Sequence, residues 1–93
     1  MIPYDKRSGK IWYNNEFVDW GDVKFHVLSH GLHYASCVFE GERVYDGSIF
    51  KLEEHTSRFF HSARRMGFDI PYTEEQINSA SNKIIVKQKV ENG

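Results

Sequence analysis

The sequence predicts an α+β domain, with two helices packed on one face of an antiparallel sheet of two hairpins. Three observations predict it. Two pairs of β-rich runs flank two-residue turn signals, Asn14-Asn15 and Asp46-Gly47. From Leu52 onward the apolar spacing changes from the two-residue period of a strand to the three-and-four spacing of a helix. At 93 residues there is room for one core only, so hairpins and helices must share it.

Taken in order, residues 1–10 are polar around Pro3 and Gly9 and predict a flexible lead-in, with the ordered domain running from 11 to 93. "IWYNNEFVDWG" then reads as strand, turn and strand, because the Asn pair tolerates the positive φ of a tight hairpin. A histidine-bearing segment follows. "SCVFEGERVYDGSIFKL" supplies the second hairpin around Asp46-Gly47. Leu52, Thr56, Phe59, Phe60, Ala63 and Met66 form the buried stripe of the first helix, with Glu53 and Glu54 in its first turn and Gly67 closing it. Thr73 and Gln76 form a capping-box pattern for the second helix, which presents Ile77, Ala80, Ile84 and Gln88 and is expected to run to Asn92-Gly93. Two open sheet edges, and a chain that stops straight after a helix, predict an incomplete small domain.

Twelve basic residues against thirteen acidic ones leave a net charge of −1, so no basic footprint for nucleic acid is present. The one cysteine, Cys37, cannot close an intrachain disulfide and suits a reducing, cytoplasmic setting. No apolar run approaches the roughly 20 residues of a membrane span.

"HVLSHGLHYASC" places His26, His30, His33 and Cys37 at gaps of four, three and four, a spacing that could converge on a metal if the segment were one helix. The segment runs into a strand at Cys37, so a helical face cannot continue through all four, and no metal is expected. In that strand, period two puts Phe39, Gly41, Arg43 and Tyr45 on one face and Val38, Glu40, Glu42 and Val44 on the other. An aromatic wall, a bare backbone and a guanidinium suit a small carboxylate ligand. The same pattern equally suits a half-exposed strand whose Arg43 faces water and whose Gly41 marks a bulge. Arg58 sits four residues after Glu54, the spacing of an ordinary helix-surface ion pair, but its fork could also clamp a phosphate. Tyr34 could be core or could line a pocket mouth, and His55 and His61 suit the helix surface or the core edge.

From Ile11 onward, "IWYNNEFVDWGDVKFHVLSHGLHYASCVFEGERVYDG" followed by "EEHTSR" resembles the start of a branched-chain amino acid aminotransferase, a family of fold-type IV enzymes that use pyridoxal 5'-phosphate. The resemblance implies that Arg58 holds the cofactor phosphate. It implies that Tyr34 and Phe39 wall the pocket for a branched side chain, and that Gly41 and Arg43 lie near the substrate carboxylate. The "FEGER" run separates this group from the D-amino acid aminotransferases, which remain an alternative. The resemblance also implies that no metal binds the histidine segment, that the family assembles as homo-oligomers, and that a second, larger domain carries the lysine that bonds the cofactor. None of the seven lysines here matches that lysine, so no catalytic residue is expected, and the chain alone is expected to be inactive without bound cofactor. A self-standing binding module of the same fold, and a small metal-binding domain, are the competing readings.

Overall fold

Asn14 and Asn15 both take positive φ, 50° and 68°, and reverse the chain between β1 (Lys10–Tyr13) and β2 (Glu16–Asp19). Trp12 faces Phe17 and Tyr13 faces Glu16 across this antiparallel pair. Asp46 and Gly47, at 49° and 78°, do the same between β3 (Val44–Tyr45) and β4 (Ser48–Ile49). Both turns have the backbone twist that suits a two-residue hairpin. This computed structural model describes residues 6–29, 31, 34 and 36–93.

The α+β class is as the sequence predicts, with one difference in the sheet. Among the described residues the hairpins form two separate two-stranded sheets and do not join into one. Residues 36–42 are extended but belong to no strand, because a strand needs a neighbouring main chain to complete its ladder, while Arg43 O accepts from Phe50 N–H (2.8 Å). The main chain that does reach this hairpin comes from the C-terminal residues. Val44 N–H donates to Gly93 O (2.6 Å), Gly93 N–H returns the bond to Val44 O (2.9 Å), and Gly47 N–H donates to Glu91 O (2.8 Å).

α1 (Leu52–Arg65) ends in a Schellman motif at the expected glycine. Gly67, at φ 78°, donates to Arg64 O and Phe68 donates to Ala63 O. Of its predicted stripe, Thr56 and Ala63 are buried and Leu52, Phe59 and Phe60 are half-buried, but Met66 is half-exposed because it is the C-cap, past the last turn. α2 (Glu74–Lys87) carries the predicted capping box, Gln76 N–H to Thr73 Oγ1 (3.1 Å) and Thr73 N–H to Gln76 Oε1 (2.8 Å). It stops at Lys87, short of the expected Asn92-Gly93. Lys89, at φ 55°, takes the left-handed position usually given to glycine, while Val90 N–H donates back to Ile85 O.

The core sits where small residues let the helices approach: Thr56 and Ala63 on α1 and Ala80 on α2 are buried, joined by Val44 from β3. The Thr56 hydroxyl donates to Asn78 Oδ1 (2.5 Å) across the two helices. Hairpin β1–β2 docks on α2 and the segment just before it, through an edge-to-face contact of Trp12 with Tyr72, centroids 5.0 Å apart, and through Lys87 Nζ over the Phe17 ring at 4.9 Å. Gln88 then ties the corner, accepting from Lys10 N–H at 2.6 Å. Gly9 adjoins it at φ 124°, where a Cβ would strike the Gln88 carboxamide. Gly9 O in turn accepts from Trp20 N–H (2.9 Å), closing the same corner against the end of β2. Residues 1–5 lie outside the described ones. No helix among the described residues is long and apolar enough to cross a membrane.

Candidate functional site

The extended run 36–43 crosses α1 with the alternation that period two predicts. Val38, Glu40 and Glu42 are half-buried, Val44 is buried, and Cys37, Phe39, Gly41, Arg43 and Tyr45 are exposed. Phe39 (84% exposed), Gly41 and Arg43 thus share one outward face, with Arg43 stacked against the Tyr45 ring at 5.9 Å. Tyr34 precedes them and is 62% exposed.

Arg58 lies with the opposite face. Its partner is Glu40 and not the Glu54 suggested by helical spacing. Arg58 Nε donates to Glu40 Oε2 (2.9 Å) and Nη2 to Oε1 (2.6 Å), a side-on bidentate pair. His55, three residues before Arg58 and so on the same face of α1, places Nδ1 2.7 Å from the same Oε1. A proton on Nδ1 is required to face a carboxylate, so the 3.1 Å approach of Arg58 Nη2 to that nitrogen sets two donors side by side on one oxygen. Glu40 is the residue that local spacing missed. The signal available was its place on the inward face beside Val38 and Val44, where a carboxylate needs a partner.

Those bonds hold the Glu40 carboxyl at about 2, well below its ordinary 4.5, the Arg58 hydrogen bond contributing most and His55 next. Glu42, on the same face, is pushed upward, first by burial. Because the folded-state pKa of Glu40 is depressed, its contribution to stability is fully present above its ordinary value and is lost as pH falls through about 2. Glu42 has the opposite sign. At pH 7 Glu40→Gln is expected to lower the urea midpoint and Glu42→Gln to raise it, and both differences should shrink in acid. Midpoints of the two variants that move in the same direction at pH 7 would contradict this arrangement.

Of the histidine spacing, His30 and His33 lie outside the described residues. His26 turns inward on its own loop, Nδ1 accepting from Leu28 N–H at 3.0 Å. Among the described residues no group of three or more His, Cys, Asp or Glu side chains is placed to hold a metal.

A model of the class IV aminotransferases matches residues 37–93, which span β3, β4, both helices and the Glu40–His55–Arg58 cluster. The chain belongs to the class IV aminotransferase family. A branched-chain-amino-acid aminotransferase of Pseudomonas aeruginosa is 45% identical over 89 residues, covering 91% of this chain and 29% of that protein. The crystal structure of the Escherichia coli branched-chain amino acid aminotransferase superposes with a TM-score of 0.87 at 36% identity, over 92% of this chain and 30% of that one. The T.th. branched-chain amino acid aminotransferase complexed with N-(5'-phosphopyridoxyl)-L-glutamate gives 0.87 at 37% identity, again over 92% and 30%. The chain thus spans about 30% of the length of these relatives.

In this class IV aminotransferase chain the lysines lie at or near the surface. Lys6, Lys24, Lys51, Lys83, Lys87 and Lys89 are exposed, and the Lys10 ammonium is paired with Asp19. Lys51 and Lys87 lie over the rings of Phe50 and Phe17.

Proposed function

We propose that this chain is the small-domain part of a pyridoxal-phosphate-dependent branched-chain amino acid aminotransferase. The whole protein would move amino groups between leucine, isoleucine or valine and 2-oxoglutarate, with this part supplying pocket walls and a phosphate clamp. The observation that carries the reading is Arg58: a guanidinium held side-on by Glu40, with 63% of its side chain still exposed. A fixed fork with a solvent-facing part fits a phosphate monoester. When bound, pyridoxal phosphate supplies the electron-withdrawing ring that takes up charge from the amino acid. Arg58 would hold the phosphate in place and fix its orientation. Phe39 and Tyr34 would pack the aliphatic side chain and keep water away, Gly41 would let the substrate approach the main chain, and Arg43 would hold the substrate carboxylate. The relatives named above, and the phosphopyridoxyl-glutamate complex of one of them, support this substrate and cofactor class. The lone thiol of Cys37 supports a reducing, cytoplasmic location.

On this reading the chain alone has no anchoring lysine and no transaminase activity. Incubation with pyridoxal phosphate followed by borohydride is expected to give only substoichiometric labelling spread over several lysines, with no amino transfer from leucine to 2-oxoglutarate. Stoichiometric modification of one lysine would overturn the proposed division of labour.

A further inference from the structure

We propose that Glu40, backed by His55, is a positioning residue that grips the side edge of the Arg58 guanidinium and thereby holds its end edge out toward a phosphate. This rests on the reading of Arg58 as a phosphate clamp. A guanidinium carries five N–H donors in one rigid plane. The side edge, Nε and the near hydrogen of Nη2, is taken by the Glu40 carboxylate at 2.9 and 2.6 Å. Nη2 also lies 3.1 Å from His55 Nδ1, and the geometry of the group leaves Nη1, at the end edge, pointing away from Glu40, so carboxylate and phosphate can be held together on different edges.

Glu40 is able to act as a fixed post because it is itself fixed. Its side chain is 12% exposed and that of His55 19%, against 63% for Arg58. His55 Nδ1, at 2.7 Å, makes a further bond to the same Oε1 that accepts Arg58 Nη2. A long side chain so exposed on a helix otherwise samples many rotamers, and ordering it would weaken each binding event. The pair with Glu40 settles that ordering before any anion arrives.

A simpler role for Glu40 predicts the reverse. If it only occupied the fork or repelled anions, removing its charge would tighten phosphate binding. Inorganic phosphate titrated into the nitrogen-15-labelled chain at low salt, followed at the Arg58 Nε–H signal, separates the two. The wild-type chain is expected to show a saturable shift at Arg58. Glu40→Gln should weaken it about 10-fold, the scale of hydrogen bonds to a charged group. Glu53→Gln, which removes an exposed charge from the first turn of the same helix, should leave binding unchanged or slightly tighter. Equal or tighter binding in Glu40→Gln, with amide signals showing a retained fold, overturns the inference and leaves the clamp reading standing. No Arg58 response in the wild type, with Arg58→Lys titrating identically, removes the clamp and the inference together. Should Glu40→Gln fail to fold, rotation of the Arg58 Nη groups in the wild type decides: slower than in exposed Arg64 supports positioning, equal rates overturn it.

Discussion

Ala63→Asp is expected to unfold the chain at 25 °C. Ala63 is 1% exposed and lies two helical turns after Thr56, whose hydroxyl reaches Asn78 on α2, so its methyl group occupies the helix–helix contact. An aspartyl carboxyl there must either stay charged without a partner or take up a proton, and protonating it at pH 7 costs about 4 kcal/mol. Forcing the larger side chain into the contact adds about 1–3 kcal/mol. A domain of this size holds roughly 5–14 kcal/mol in total, and so few side chains are fully buried here that the low end applies. The introduced carboxyl has a raised folded-state pKa, so part of the loss should return as pH falls toward 4, which distinguishes charge from crowding. Ser57→Asp, exposed on the same helix, is the control and should melt close to wild type. A melting curve for Ala63→Asp that overlays the wild type would mean Ala63 is not at the contact.

The chain is also expected to self-associate. Its accessible surface is 7416 Å², whereas a monomeric protein of its mass exposes about 5,600 Å². The excess, about 1,800 Å², is more than the roughly 800 Å² that each partner buries in a standard interface. Much of it is apolar: Phe25, Val27, Leu28, Tyr34, Phe39 and Phe50 are each more than half exposed. Phe39 is the most exposed of these, in the run 36–42 that among the described residues is part of no strand pair. Apolar side chains beside an unpaired edge invite a second copy. Sedimentation velocity is expected to show a concentration-dependent dimer or larger species, weakened on the order of tenfold by Phe39→Lys. One monomer-sized species at high concentration would instead favour a self-standing module.

What could be read from the sequence was what local chemistry decides. Asn14-Asn15, Asp46-Gly47, Gly67 and the Thr73–Gln76 box each act through their own backbone, and each is found where its residue type predicts. The two faces of 36–43 were equally legible, because alternation is a property of an extended chain whether or not it is paired. The end of α2 was not, since a lysine takes the left-handed position there while Gln88 is drawn to Lys10 and residues 91–93 to β3. The partner of Arg58 was missed for a related reason. Spacing along a helix nominates Glu54, whereas the carboxylate it meets is 18 residues upstream and reaches it only through the fold.

The Gln88 contact sets an order of events in time. Lys10 and Gln88 are 78 residues apart, and closing so long a loop costs about 2 kcal/mol more than closing a ten-residue one. Hairpins and the α1–α2 pair need only short closures, so they are expected to be in place before the N-terminal corner locks onto α2. During synthesis β1 emerges before α2 yet must wait for that helix before its edge is tied down. Gln88→Ala should therefore accelerate unfolding while leaving the refolding rate nearly unchanged, a φ-value near zero. Refolding slowed in proportion to the lost stability would place this corner in the folding nucleus instead.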